Sequence, residues 1–448
     1  MLHACAAFEP NRATRVAMIV ANPCANDSRV IKQAESLAMR GYDVRVYCLA
    51  ASGLAASESR NGVRYVRCRE PHRRIASGAP TADIGTMPAA IGGSGKLRWI
   101  PAAAKRRLGP FIEHWLHAAT FTGKVADFHP DIIHAHDFNV LPAAVRAARR
   151  TTAAVVYDMH ELEEGRHPLP GPMLKWWKRV IERRALAHVA GAITVSPSIA
   201  RYHAARYGRP APTLVLNAPR MVPGLDCTDD VRSRCGLGAQ APLAVYVGSV
   251  SMGRGVETLL AALATMPDMH LAIVGSIRPE LQAIVAAYRS QASLAGRLHL
   301  IGPVPHGEVV PFIRTADLGV CTIPGTCLNY ELCLPNKLFE MTFAGLPVLV
   351  SRTTELSAFV AASGTGLAVD AGDPRAIARG LTDVYRQREQ LRPTGEHLAR
   401  LYAEYGWERQ ERRLLALYAS ILGARPVAAP ARSPVLRPAT PVGATAEA

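Results

Sequence analysis

The sequence predicts an α/β protein with two Rossmann-like, doubly wound domains and a deep cleft between them. Short apolar runs alternate with helical segments, first as a run over 16–21, a helix over 28–40 and a run ending at Cys48. A segment over 219–228, rich in Pro, Gly and Asp, interrupts this alternation, which restarts at 243–247. Strands that alternate with helices build parallel sheets, so we expect a ligand at their carboxyl ends.

The same pattern predicts the remaining elements and the domain limits. We expect an N-terminal domain over 14–218, a C-terminal domain over 219–396, a helix over 397–423 that crosses back to the first domain, and a proline-rich disordered tail over 424–448. Glycines and prolines over 71–98 indicate a mobile surface loop. Further strands are predicted over 132–134, 153–157, 192–195, 271–274, 298–301, 318–321 and 348–350, and helices from 142, after 195, over 256–265, 280–289 and 337–344, and from 374.

Composition narrows the class of protein. The chain has 448 residues, 49% of them apolar, which suffices for two sizeable cores. Its nine cysteines form no CxxC pair, so we expect neither a disulfide framework nor a zinc site. No segment reaches the roughly 18 uncharged apolar residues of a bilayer span, and we expect a cytoplasmic protein.

Positive charge is concentrated in the first half of the chain. Residues 1–218 contain 30 Lys and Arg against 16 Asp and Glu, whereas residues 219–448 contain 22 against 20. This asymmetry indicates an anionic partner such as nucleic acid, a membrane surface or a phosphorylated substrate. Preferential use of Arg in a GC-rich genome explains it equally well.

Three common motifs are absent from the places where they would act. The glycines before Lys96 fail as a Walker A loop, because Ala90 replaces the first glycine and Leu97 replaces the magnesium-binding hydroxyl. The first strand is followed by residues 22–27 without a GxGxxG pattern. His160 has no second histidine four residues later, which excludes an HExxH zinc site.

Two loops of the second half could bind a diphosphate. In the first, Gly248, Ser249, Gly253 and Arg254 lead from a strand into a helix, and glycines allow close approach of the backbone while Arg254 adds a forked donor. An ordinary turn with a solvated arginine would look the same.

In the second loop, Pro335 and Asn336 precede Lys337, Leu338 and Glu340 at the start of a helix. A carboxylate that accepts two hydrogen bonds can hold a ribose diol beside phosphates. Alternatively, Glu340 is a first-turn carboxylate favoured by the helix dipole.

In this order and spacing, the motifs resemble those of the retaining GT-B glycosyltransferases of family 4, from Val16 to about Leu422. The matching segments are NDSRVIKQAESLAMRGYDVRV (26–46), DIIHAHDFNVLP (131–142), VVYDMHELEEG (155–165), YVGSVSMGRGVETLL (246–260), PNKLFEMTFAGLPVLVS (335–351) and YGWERQERRLLALY (405–418).

The resemblance implies that the C-terminal domain binds a nucleotide-sugar donor and the N-terminal domain a glycan or lipid-linked acceptor, with retention of configuration and no metal or other cofactor. Arg254 and Lys337 would then neutralise the departing diphosphate. Glu340 would bind the ribose, aided by Gly248, Ser249, Gly253, Asn336 and Leu338 on the donor side. On the other side, His136, in the loop after its strand, would lie near the sugar and the acceptor. Further acceptor-side candidates are Asp27, Arg29, Asp158, His160 and Glu161.

His134 is expected to point away from His136, into the core, as a packed and hydrogen-bonded histidine. Asp158, His160 and Glu161 either contact acceptor hydroxyls or form a polar loop over the cleft. A nucleotide-sugar epimerase and a non-catalytic nucleotide-sugar binder remain as alternative functions.

The sequence departs from the family pattern at three places. The family commonly has two glutamates separated by seven residues, whereas Leu332 stands eight positions before Glu340 and Glu331 is one residue out of step. Ser249 occupies a position where many members have Arg. The loop over 23–27 lacks the glycine pair that many relatives place beside the acceptor.

Basic and aromatic residues interleave over 96–115 and 175–184, which indicates an anionic membrane surface rather than nucleic acid as the partner. The alternative is that Trp115, Trp176 and Trp177 pack inside the domain.

Overall fold

The computed structural model describes residues 12–70, 102–166, 170–221 and 229–423, with the side chains of residues 102–112 left out. The expected loop over 71–98, the tail over 424–448 and most of the segment over 219–228 lie outside the described residues.

The first domain is built on an eight-stranded sheet with the order β3-β4-β2-β1-β5-β6-β7-β8. Neighbouring strands are parallel except for the β3–β4 pair, which is antiparallel. The strands are β1 (Arg15–Ile19), β2 (Asp43–Leu49), β3 (Ser57–Arg60), β4 (Val63–Cys68), β5 (Ile132–His136), β6 (Ala154–Met159), β7 (Val189–Thr194) and β8 (Thr213–Leu214). The helices are α1 (Ser28–Met39), α2 (Ala102–Ala126), α3 (Leu141–Thr151), α4 (Pro172–Leu186) and α5 (Pro197–Tyr207).

The second domain has a six-stranded, fully parallel sheet with the order β11-β10-β9-β12-β13-β14. Its strands are β9 (Leu243–Val247), β10 (His270–Val274), β11 (Leu298–Ile301), β12 (Leu318–Cys321), β13 (Val348–Ser351) and β14 (Gly366–Val369). Its helices are α6 (Val231–Arg234), α7 (Val256–Ala264), α8 (Pro279–Arg289), α9 (Val309–Ile313), α10 (Leu328–Leu332), α11 (Asn336–Phe343), α12 (Thr354–Ser363), α13 (Pro374–Arg386) and α14 (Arg388–Leu391).

Helix limits follow from local chemistry. Asp27 caps α1 by accepting a hydrogen bond from the Val30 amide at 3.3 Å, and Gly41, with φ +85°, follows its end. Ser196 caps α5 in the same way through the Ile199 amide at 3.1 Å, and Gly208 ends that helix in the left-handed conformation. These signals explain why the predicted limits of α1 and the predicted start of α5 lie close to the observed ones.

In both sheets, the order in which successive strands are added reverses beside a central strand, and this reversal positions the cleft. β1 pairs with β2 and β5, and β9 pairs with β10 and β12. Crevices therefore open at the carboxyl ends of β1 and β9. The two sets of loops meet across the cleft, where the Leu162 amide donates to Asn329 Oδ1 at 2.9 Å and Ser196 Oγ donates to the Leu332 carbonyl at 2.6 Å.

The expected single helix over 397–423 is corrected to two helices, α15 (Gly395–Tyr405) and α16 (Trp407–Leu422), divided at Gly406. α15 packs on α11 of the second domain, where the rings of Tyr402 and Phe343 are 5.2 Å apart. Only α16 packs on the first sheet. Trp407 Nε1 donates to Ser36 Oγ at 3.0 Å.

Several elements carry no strong sequence signal and were not predicted, among them the β3–β4 hairpin, α2, α4 and α12. None of the described helices combines the length and apolar character needed to cross a bilayer.

Gly255 fixes the turn into α7, because its φ is +76° and a Cβ there would lie 2.0 Å from the Thr322 carbonyl oxygen. We expect Gly255→Ala to lower the free energy of unfolding by about 2–5 kcal/mol, the sum of left-handed strain and a backbone clash. Gly208→Ala is the matched control, since its φ is +62° and no atom lies within 4 Å of the added Cβ. It should cost only about 1–2 kcal/mol in urea unfolding, and equal losses in the two variants would contradict the clash.

Candidate functional site

The loop after β9 approaches the start of α11 closely at Gly248. This glycine has φ +100°, and Lys337 Cε lies 3.7 Å from where its Cβ would be. The loop also runs beside the one after β10, since the Gly248 amide donates to the Val274 carbonyl and the Val250 amide to the Ser276 carbonyl, both at 2.8 Å. A side chain at Gly248 would fill the space in front of Lys337.

Lys337 of the second domain has a buried ammonium group. It is 5% exposed, and its ammonium nitrogen lies 3.6 Å from the centroid of the Tyr246 ring. This nitrogen has no hydrogen-bond partner among the described residues. Because an unpaired buried charge is costly, the arrangement is suited to an anion that arrives from outside.

Arg254 and Lys337 converge near the end of β12. Burial raises the pKa of the Cys321 thiol to about 11, and both cations act against this rise, Lys337 more strongly. Arg254 also acts on Cys333 and Tyr330, just before α11. The two cations expected at the diphosphate therefore act on the same thiol.

Glu340 lies one turn after Lys337 on the same face of α11 and is 8% exposed. Burial raises the pKa of its carboxyl group, while His306, Lys32 and Lys337 oppose the rise. Lys32 belongs to α1 of the first domain, and burial lowers its pKa to about 7. Sequence reasoning missed Lys32 and His306, because nothing local marks residues that meet across a cleft.

The other donor-side candidates belong to the loop after β9 and to the first turn of α11. Tyr246 donates through its hydroxyl to the Ser249 carbonyl at 3.4 Å, and Ser249 Oγ accepts from Ser276 Oγ at the same distance. Gly253 has φ +78°, within the turn that leads to α7. Asn336 is the first residue of α11. Leu338 of the same helix is fully buried, and its amide donates to the Pro335 carbonyl at 3.1 Å.

Glu331 is committed to a different task from that of the family glutamate. Its Oε1 accepts hydrogen bonds from the Thr354 amide at 2.9 Å and from Thr354 Oγ1 at 2.7 Å. Glu331 therefore provides an acceptor for an amide of the first turn of α12, which has no partner within the helix.

His136 and His134 occupy the same face of β5, which corrects two expectations. The strand extends to His136, so this residue does not lie in the following loop. The two rings stack with centroids 4.3 Å apart and planes 14° apart, because residues two positions apart on a strand share a face. His134 Nδ1 lies 2.8 Å from the Tyr418 hydroxyl, so it is hydrogen-bonded, but it does not point away from His136.

Asp158 lies behind His136 and is fully buried. His136 Nδ1 is 3.3 Å and Gln33 Nε2 3.1 Å from Asp158 Oδ2. Burial acts to raise the pKa of Asp158, but Arg29 and His136 outweigh it and hold the pKa below its ordinary value. Burial lowers the pKa of His136 and favours its neutral form. At 0% exposure, Asp158 does not reach the cleft surface, contrary to its expected contact with the acceptor.

Unlike Asp158 and His136, other polar side chains of the first domain are partly exposed. The side chains of Asp137 and His160 are 25% and 22% exposed, with Asp137 Oδ1 2.6 Å from His160 Nδ1. Burial raises the pKa of Asp137, and the positive charge of Arg29 opposes this rise. Asp27 lies 3.7 Å from Arg29, and Glu161 pairs with Arg166 at 2.7 Å.

Asp137 has an unusual backbone conformation. Its φ of +75° and ψ of 162° lie in a region that is essentially restricted to glycine and costs other residues about 1–3 kcal/mol. Sequence reasoning missed Asp137, although its place directly after His136 at a strand end was the available signal.

His134, His136 and Asp158 form a group whose ligand atoms lie within 4.8 Å of one another. Lone pairs of imidazole nitrogens lie in the ring planes, so two stacked rings do not direct them at one ion. Arg29 Nη1 also lies 4.0 Å from Asp158 Oδ2 and would repel a cation. The cluster is poorly suited to a metal.

Comparisons with known proteins agree with this two-part arrangement. The profile of the family described as "Glycosyl transferase 4-like domain" matches residues 28–219, and that of "Glycosyl transferases group 1" matches residues 241–387. Two similar proteins are called D-inositol 3-phosphate glycosyltransferase. The one from Corynebacterium urealyticum is 27% identical over 215 residues, 45% of this chain and 49% of that protein. The one from Thermobispora bispora is 26% identical over 317 residues, 65% of this chain and 71% of that protein.

The chain thus spans about half the length of the first relative. Among solved structures, sucrose-phosphate synthase from Thermosynechococcus elongatus shares the fold with a TM-score of 0.70 and 20% identity, over 92% of this chain and 100% of that one. With both family profiles matched in order and the fold shared, the chain belongs to the glycosyltransferases of GT-B fold.

Proposed function

We propose that this glycosyltransferase moves a sugar from a nucleotide-sugar donor, held by the second domain, to a hydroxyl group of a glycan or lipid-linked acceptor held by the first. The configuration at the anomeric carbon is retained and no metal takes part. The observation that carries this proposal is Lys337, a buried ammonium group without a hydrogen-bond partner among the described residues, beside the glycine loop at Gly248.

The chemistry requires positive charge where the diphosphate departs. The bond between the anomeric carbon and the phosphate oxygen breaks, the acceptor oxygen bonds to that carbon, and its proton leaves on the departing phosphate. Lys337 and Arg254 stabilise the charge on that phosphate in place of a metal ion. Glu340, one turn along α11, binds the ribose hydroxyls as a hydrogen-bond acceptor.

On the opposite side of the cleft, Arg29 is held by three carboxylates, those of Asp27, Asp137 and Asp158, at 3.6–4.0 Å. The three carboxylates balance the charge of Arg29, which supports a role in shaping the pocket rather than in binding an anion. His136 is neutral and stacked on His134. In this proposal it forms the part of the pocket nearest the sugar.

A transfer assay tests the function. Purified protein is incubated with UDP-, GDP- and ADP-sugars in EDTA, with water, a lipid extract or D-inositol 3-phosphate as acceptor, and nucleotide release is measured. We expect one donor to be preferred, release to rise with an acceptor, and the product to keep the anomeric configuration by NMR. Loss of activity in EDTA, restored by a divalent cation, would contradict the metal-free reaction.

Lys337→Met should separate binding from stability. We expect transfer to fall about 100- to 1000-fold, because one donor to the departing phosphate is lost. The melting temperature should stay level or rise, because the variant no longer buries an unpaired charge. Calorimetry with the nucleoside diphosphate and a thermal melt measure the two effects.

Lys178→Met is the matched control, since Lys178 pairs with Glu163 at 2.5 Å. It should lower stability and leave nucleotide affinity unchanged. A Lys337→Met variant that binds nucleotide as the wild type does would remove Lys337 from the donor site.

We further propose that the first domain works at an anionic membrane surface. The side chains of Trp115, Trp176 and Met173 are 59%, 64% and 62% exposed, whereas Trp177 packs on His114 at 5.1 Å. The contact between His114 and Trp177 joins α2 to α4, so Trp115 and Trp176 flank one helix interface. Arg183 and Arg184 on α4 are exposed and basic, which suits anionic headgroups beside these rings.

Liposome flotation tests this surface. Wild-type protein should float with vesicles that contain phosphatidylglycerol, and binding should weaken steeply as salt is raised. Trp176→Ala and the pair Arg183→Glu with Arg184→Glu should each reduce the bound fraction several-fold. Arg386→Glu, an exposed arginine of the second domain, is the control. Equal binding by all variants would exclude this face.

A further inference from the structure

The N-terminus of α5 is capped from both domains. Amides in the first turn of a helix need acceptors from outside the helix ladder. The Ile199 amide donates to Ser196 Oγ at 3.1 Å, within the first domain. The Ser198 amide donates instead to Oε1 of Glu355, a residue of α12 in the second domain, at 2.6 Å. A carboxylate of one domain therefore completes the first turn of a helix in the other.

The side chain of Glu355 is buried at this contact. Glu355 is 6% exposed, and its carboxylate has no hydrogen bond or ion pair within its own domain among the described residues. Arg201 of α5 lies 3.9 Å from Oε1, but its side chain is 72% exposed, so this pair contributes little. The carboxylate is thus held by the Ser198 amide and by the positive end of the α5 dipole.

Two further contacts between the domains have the same direction. The Leu162 amide donates to Asn329 Oδ1, and Ser196 Oγ donates to the Leu332 carbonyl. In all three contacts the first domain supplies the donor and the second domain the acceptor. Asn329 and Leu332 belong to α10, which directly precedes α11 and Lys337. The contacts therefore fix the first domain against the segment that leads into the donor site.

Glu331 ties the acceptors of α10 to that of α12. Its Oε1 accepts hydrogen bonds from the amide and the hydroxyl group of Thr354, the residue before Glu355. The helix that carries Asn329 is therefore attached directly to the first turn that carries Glu355.

We propose that Glu355 is a positioning residue of the transfer reaction, which holds the first domain in the orientation where the acceptor faces the donor site. Glu355 touches no substrate and acts through the Ser198 amide. The catalytic consequence rests on the proposed function, in which donor and acceptor are bound by different domains. Because the two partners belong to different domains, the contact exists only while the domains are together.

Hydrogen exchange of the full chain tests this role, with the Leu162 amide as the reporter. Glu355→Ala should speed exchange at Leu162 by about 5- to 30-fold, because loss of a helix cap shifts the equilibrium towards separated domains by that factor. The Leu162 amide and its acceptor on Asn329 are left intact by this change. Glu355→Gln keeps an Oε1 acceptor, so exchange should rise by no more than about threefold.

Asp373→Ala is the matched control. Asp373 Oδ1 accepts a hydrogen bond from the Arg375 amide at 2.9 Å at the start of α13, entirely within the second domain. This variant should lower the melting temperature through loss of a cap and leave exchange at Leu162 at the wild-type rate. Wild-type exchange at Leu162 in Glu355→Ala would reduce Glu355 to a local cap and overturn the proposal. An equal rise in Asp373→Ala would overturn it as well.

Kinetics provide the second readout. Glu355→Ala should lower kcat for transfer by about threefold or more, with Glu355→Gln in between, because the two bound substrates are less often in the reactive orientation. The affinity for the nucleoside diphosphate should not change, since its proposed contacts lie within the second domain. A loss confined to nucleotide affinity would contradict the positioning role. Exchange at Leu162 needs no donor, so a wild-type protein that transfers no sugar would refute the proposed function while the exchange result still decides whether Glu355 holds the domains together.

Discussion

The packing of α16 on the first sheet is the constraint on which the site depends. Trp407 and Tyr418 are 1% and 0% exposed there, and Tyr418 hydrogen-bonds to His134 behind the cleft. The preceding helix, α15, is packed on α11, whose first turn carries Lys337. A single stretch of chain therefore joins α11 to the histidine pair of the opposite domain, and fixes which edges of the two sheets face each other.

Charge is arranged differently on the two sides of the cleft. In the second domain, the ammonium group of Lys337 is buried without a hydrogen-bond partner among the described residues. In the first domain, Arg29 is surrounded by Asp27, Asp137 and Asp158. The ammonium group of Lys337 is suited to an anion that arrives and leaves, whereas the charge of Arg29 is balanced by carboxylates of the protein. This division suits an anionic donor on one side and a hydroxyl group on the other.

Sequence reasoning predicted the alternation of strands and helices because period and capping are local, as the limits of α1 and the start of α5 illustrate. It also predicted that Arg254, Lys337 and Glu340 lie on the same side of the second sheet, since the carboxyl ends of parallel strands share an edge. It failed where the deciding neighbour is distant. Glu331 is bound to Thr354, and Lys32 faces Glu340 from the other domain. The placement of His134 was a local error, because strand periodicity puts it on the face of His136.

The contacts across the cleft indicate how a substrate gains entry. The loops meet through the Leu162–Asn329 and Ser196–Leu332 hydrogen bonds and through Gly165, where a Cβ would lie 2.8 Å from Leu328 Cβ. Each such hydrogen bond contributes only about 0.5–1.5 kcal/mol net, because water replaces it on separation. Leu332 of α10 also packs against Leu162, Val195 and Ile199 of the first domain. Separating the loops must therefore expose this apolar cluster to water as well as break the hydrogen bonds. His136 lies fully buried behind these contacts, whereas the His160 side chain is 22% exposed.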